Sequence, residues 1–124
     1  MNRRRVGASM LLVVLMMAQL ARAEPSAQVQ EEVNFLLAYV EQSGCEFYRN
    51  GTWHDPKTAR AHLRDKYQYL VARNQIKSTE EFIEKAATES SFTGRPYAAR
   101  CNGGASEPSS QWLRRELTRF SSSH

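Results

Sequence analysis

The sequence predicts a small, mainly α domain in which about four helices pack with a small β-hairpin, closed by one disulfide between Cys45 and Cys101. Three observations predict it. Apolar residues recur at helical spacing in four separate segments, the mark of amphipathic helices. Asn50-Gly51 lies between aromatic-rich flanks, a strong hairpin signal because both central residues of a type I′ turn need positive φ. The two cysteines form an even set behind an N-terminal leader, and an oxidising compartment favours their pairing. Closing a loop of about 57 residues would contribute about 4 kcal/mol on the chain-entropy account.

The leader is residues 1–23. Arg3, Arg4 and Arg5 precede the apolar run Met10 to Ala18, and Ala21-Arg22-Ala23 is a small-x-small site. This is a secretory signal peptide cleaved after Ala23. The run is too short for an anchor, which needs about 20 apolar residues, so no membrane span is expected after cleavage. No cysteine follows the cleavage point to carry a lipid. The expected location is periplasmic or secreted. Cleavage leaves a single domain, residues 24–124 of the 124-residue chain.

Charge changes with cleavage. Four of the 17 basic residues, Arg3, Arg4, Arg5 and Arg22, lie in the leader and none of the 13 acidic ones does. The remainder balances 13 against 13. The sequence pI of about 9.3 therefore belongs to the uncleaved chain. Net charge gives no reason to expect a nucleic acid or an anionic membrane as partner.

Along the domain, Val29, Val33, Leu36, Leu37 and Val40 make a first amphipathic helix, ended at Ser43-Gly44, where Gly44 is able to take the left-handed cap conformation. The hairpin follows. Pairing outward from its turn sets Arg49 opposite Thr52, Tyr48 opposite Trp53 and Phe47 opposite His54, with Tyr48 and Trp53 as a cross-strand aromatic pair. Asp55 caps a second helix with Pro56 in its first position, and its stripe is Ala59, Leu63, Tyr67, Leu70 and Val71. Ser78 and Glu81 form a capping box for a third helix that buries Phe82, Ile83, Ala86 and Ala87. Thr93 to Pro96 is a turn, Tyr97 to Cys101 an extended segment able to pair with the hairpin edge, and Asn102 to Ser110 a loop. The last helix runs from about Pro108 or Ser109 to Phe120 with Trp112, Leu113, Leu117 and Phe120 inward, and the tail 121–124 is expected to be disordered. Phe47, Trp53, Tyr67 and Trp112 are expected to be buried.

Four blocks carry a family resemblance: Phe47-x-Arg49-Asn50-Gly51-x-x-His54, Ala59-x-x-His62-Leu63-x-x-Lys66, Glu81-Phe82-Ile83, and Thr93-Gly94-Arg95-Pro96-Tyr97. In this order they resemble the YfeK-like family of small exported bacterial proteins, a domain of unknown function. The resemblance covers nearly all of the domain. It implies a periplasmic protein, and brings no established activity, substrate or cofactor.

The densest candidate site is Arg49, His54, His62 and Lys66, with Arg95 and Tyr97 nearby. His62 and Lys66 are four apart and share a helix face. A hairpin folded over that helix would make a basic pocket for a carboxylate or phosphate. The plainer structural alternative puts Arg49 and Lys66 in surface ion pairs with Glu46 or Asp65, and His62 on a backbone carbonyl of the hairpin. His54 and His62 lack a third metal ligand at recognisable spacing, so no metal site is expected. Ser90-Ser91 and Ser109-Ser110 lack a nucleophile-elbow context, Glu80, Glu81 and Glu84 suit a helix first turn, and no glycine-rich phosphate loop occurs.

The resulting expectation is a non-catalytic binding or interaction module of the cell envelope with no cofactor. Its partner would be an envelope protein or an anionic envelope molecule. The alternative is an envelope hydrolase using His54 or His62 as general base. A cleft holding both histidines with a perturbed titrating group would favour the enzyme, and packed histidines the module.

Overall fold

The computed structural model describes residues 24–124; the signal peptide expected over residues 1–23, and its cleavage site, lie outside the described residues. Four helices and four strands follow in order: α1 (Ala27–Gln42), β1 (Cys45–Arg49), β2 (Thr52–His54), α2 (Pro56–Ala72), α3 (Thr79–Ala86), β3 (Ala98–Cys101), β4 (Glu107–Pro108) and α4 (Ser109–Ser123).

Local chemistry starts and stops these elements as anticipated. Ser26 caps α1 by accepting from Val29 N–H, and Gly44 sits at φ 69° just beyond its end. Asn50 and Gly51 adopt φ 49° and 89°, both positive, and the register is Phe47 to His54, Tyr48 to Trp53 and Arg49 to Thr52. Asp55 caps α2 through Thr58 N–H at 2.9 Å, with Pro56 following. Ser78 caps α3, while the Glu81 carboxylate reaches past it to Lys77 N–H at 3.0 Å. The box is thus closed one residue earlier than the usual pattern.

The hairpin does not stand alone. β3 pairs antiparallel with β1, and β4 with β3, giving one sheet in the order β2-β1-β3-β4. The fold is therefore mixed α and β rather than mainly α. β4 is two residues long, too short to show a period within the loop expected over 102–110. In the β1–β3 ladder Cys45 lies directly opposite Cys101, with Cα atoms 4.2 Å apart, and the two form the expected disulfide.

Alternation sorts the sheet's side chains. Cys45, Phe47 and Ala99 point into the core, where Phe47 meets Trp112 edge-on at 5.3 Å between ring centroids. The fully enclosed centre is Val33, Leu36 and Val40 of α1, Phe82 and Ile83 of α3, and Leu113 of α4. Ile76, in the connection between α2 and α3, is also buried.

Three expectations are corrected. Trp53 is only half-buried because β2 is the edge strand; it packs on Tyr48 at 5.4 Å and under the Arg100 guanidinium at 3.9 Å, on the face away from the helices. Tyr67 is also only partly buried, edge-on to Phe82 near the rim of the core. Residues 121–124, expected to be disordered, instead continue α4 to Ser123. The Ser122 and Ser123 hydroxyls donate to the carbonyls of Thr118 and Arg119 one turn back, and His124 stacks on Phe120 at 4.2 Å.

Candidate functional site

Strand parity builds the site. Residues 45, 47 and 49 of β1 share the helix-facing side, so Arg49 leaves the sheet toward α2. Opposite residues of an antiparallel pair also share a face, which puts His54 on that side beside Phe47. One further step of the β1–β3 register beyond Tyr48 and Ala98 sets Tyr97 opposite Arg49. On α2, Ala59 and Leu63 bury one stripe, and His62 and Lys66 flank it four residues apart.

These side chains meet in a hydrogen-bonded chain. Arg49 Nη1 lies 2.8 Å from His62 Nδ1, and His62 Nε2 lies 3.1 Å from Tyr97 Oη. Lys66 Nζ donates to Tyr97 Oη at 3.2 Å and to the Glu89 carbonyl at 3.1 Å. It also stands 5.0 Å over the Tyr97 ring. The donor inventory orders the protons. Arginine only donates, so His62 Nδ1 accepts and its proton sits on Nε2, donating to Tyr97. Tyr97 Oη then accepts twice, from His62 and Lys66, and keeps its own proton to offer.

The charges follow. Burial, with Arg49 and Lys66 beside it, pushes His62 down from 6.5 to about 4. The ring is neutral at pH 7. Burial also lowers the Lys66 ammonium, opposed by the charge of Glu89, and raises the Tyr97 phenol, opposed by Arg49. With its acceptor nitrogen committed to Arg49 and its other nitrogen protonated, His62 has no lone pair to offer as a general base.

Neither ion pair of the plain alternative forms. Glu46 bonds Arg100, its β3 register partner, at 3.0 Å, and Asp65 makes no ion pair among the described residues. Elsewhere Arg60 pairs with Glu41, Arg114 with Glu80, Arg115 with Glu107, Arg119 with Glu116 and Lys85 with Glu81. Arg49, Lys66 and Arg95 have no carboxylate within 4 Å among the described residues.

Arg95 is held against the hairpin turn, its guanidinium 3.9 Å from the point where Gly51 would carry a Cβ. The segment bearing it is pinned to that turn by residues whose role the sequence did not suggest. Asn50 Nδ2 donates to buried Ser90 Oγ at 3.1 Å, and Thr93 Oγ1 donates to Asn50 Oδ1 at 2.7 Å. Ser90 Oγ also accepts from the N–H groups of Phe92 and Thr93, the backbone duty common for serine near a helix end. A positive-φ asparagine carrying its amide to the turn's outside was the one local hint of such a pin.

Beneath Arg49, His54, His62 and Tyr97 lies a cavity of about 30 Å³. Among the described residues, no three His, Cys, Asp or Glu side chains gather as a metal site, and no helix is long and apolar enough to cross a membrane.

The four blocks behind the resemblance thus largely converge. The turn block, the α2 block and the Thr93–Tyr97 block form one site, and the Glu81 block supplies Phe82 and Ile83 to the core below. Comparison with known proteins agrees. The chain is 37% identical over 87 residues to "Uncharacterized protein YfeK" of Salmonella typhimurium, which covers 69% of this chain and 71% of that protein. No solved structure matches. A family described as "Family of unknown function (DUF5329)" matches residues 27–121, and the chain belongs to it.

Proposed function

We propose that this protein is an exported, non-catalytic binding module of the cell envelope that takes an anionic group at Arg49, with His62, Lys66, Arg95 and Tyr97 around it. The observation that carries the reading is that Arg49 and Lys66 stand on one His62–Tyr97 chain with no carboxylate within 4 Å among the described residues, in a domain whose arginines mostly pair with one. An anion supplies the missing charge, and Arg49 keeps most of its donors free for a planar oxyanion. Neutral His62 supports binding without chemistry, because it serves as a strut between Arg49 and Tyr97. Export is supported by the leader pattern and by the Cys45–Cys101 bond, which persists in an oxidising compartment.

Amide and imidazole NMR shifts during titration with inorganic phosphate and with acetate test the site. Shifts should appear at Arg49, His62 and Tyr97 and vanish in Arg49→Ala/Lys66→Ala with circular dichroism unchanged. Equal shifts in that double variant would refute the reading. Export is tested by the mass of protein recovered from an osmotic-shock fraction. Loss of residues 1–23 is expected, and an intact chain confined to the cytosol would refute it.

A further inference from the structure

We propose that the anion this site takes is a short-chain monocarboxylate whose two- or three-carbon tail enters the cavity beneath Arg49. This rests on the anion-site reading above and adds a chemical class to it. The cavity walls are Val40, Phe47, Ala59, Leu63, Ala87 and Leu113, all apolar and all buried. The charged, imidazole and phenol side chains Tyr48, Arg49, His54, His62 and Tyr97 also line it. Charge and carbon therefore border one small space, which is the distribution of a ligand with a charged head and an apolar tail.

Size sets the tail. About 30 Å³ is room for roughly two water-sized groups, since one such group needs on the order of 10–15 Å³. That matches a short alkyl segment and excludes a fatty acyl chain or a sugar ring. Water is a poor occupant, because it wants two to four polar partners and the inner walls offer carbon. Of the lining hydroxyls, Thr58 is already spent on Asp55, which leaves Ser109 and Tyr48 among walls that are otherwise mostly carbon. An alkyl group gains dispersion contacts with these apolar walls.

Charge sets the head. Arg49 gives one N–H direction to His62 and keeps the rest of its fork, which matches the two oxygens of a carboxylate. The protonated Tyr97 oxygen offers a further donor at the same rim.

Calorimetric or NMR titration of the protein, with its disulfide intact, tests the proposal with acetate, propionate, butyrate, hexanoate and inorganic phosphate. Affinity should rise about fourfold per methylene from acetate to butyrate and gain nothing at hexanoate. Filling the cavity with Ala59→Val, or with Ala87→Val as a second variant, should abolish the chain-length gain and keep acetate binding. Acetate, butyrate and phosphate binding alike would overturn the tail pocket and leave the anion site standing. No binding of any of them would overturn both, and a chain-length gain that survives both cavity fillings would overturn the placement.

Discussion

Acidification asks directly whether His62 is held neutral by the fold. The folded protein keeps this ring neutral down to about pH 4, whereas an unfolded histidine takes up its second proton near 6.5. Between those values the unfolded state binds the extra proton, so stability falls as pH falls. The contribution is fully present above about pH 6.5 and is lost progressively toward pH 4. From pH 7 to pH 5 linkage gives about 2 kcal/mol for a fully enclosed ring. His62 is half-buried, and solvent screening brings this to about 1 kcal/mol. Urea unfolding at pH 7, 6, 5.5 and 5 measures it, with His62→Gln as reference. Glutamine offers a carbonyl to Arg49 and an amide to Tyr97 without titrating, and the other titrating groups cancel in the difference. The parent should lose about 1 kcal/mol more than the variant over this interval. Parallel curves would refute the account of His62 as a neutral strut.

Four further perturbations, at three places, probe the scaffold. Replacing Cys45 and Cys101 with Ala releases a loop with a sequence separation of 56 residues and should cost about 4 kcal/mol, lowering Tm by on the order of 20 °C in a thermal melt; a loss below about 1 kcal/mol would contradict it. Asn50→Gly keeps the positive φ of the turn but drops the bonds to Ser90 and Thr93, and should cost about 1–2 kcal/mol by urea titration. Asn50→Ala should cost about 1 kcal/mol more, because alanine resists that backbone conformation. Phe82→Ala empties the centre of the core, where Phe82 is 0% exposed, and should cost about 3–5 kcal/mol in the same assay.

Much of the fold was legible because its signals act locally. The Asn50-Gly51 dipeptide selects a two-residue turn, and a two-residue turn leaves only one pairing for Phe47, Tyr48 and Arg49. Asp55-Pro56 and Ser78 with Glu81 mark helix starts through bonds spanning three or four residues. The two-residue strand Glu107–Pro108, the edge position of Trp53 and the helical tail at Ser122 and Ser123 were not legible. Each depends on a neighbour chosen by the whole fold, or on side-chain bonds that composition does not reveal.

The candidate site divides the same way. Sequence alone determined that Arg49 stands one residue from the turn and that His62 and Lys66 share a helix face, because periodicity fixes direction within one element. Only the tertiary structure decided that Glu46 is taken by Arg100, 54 residues away, and that Tyr97 stands between His62 and Lys66. Backbone preference acts over a few bonds, while charge pairing and desolvation depend on distances through space. The packing of β3 beside β1 and of α2 against both set those distances, and so left Arg49 without an acid among the described residues and the His62 ring neutral.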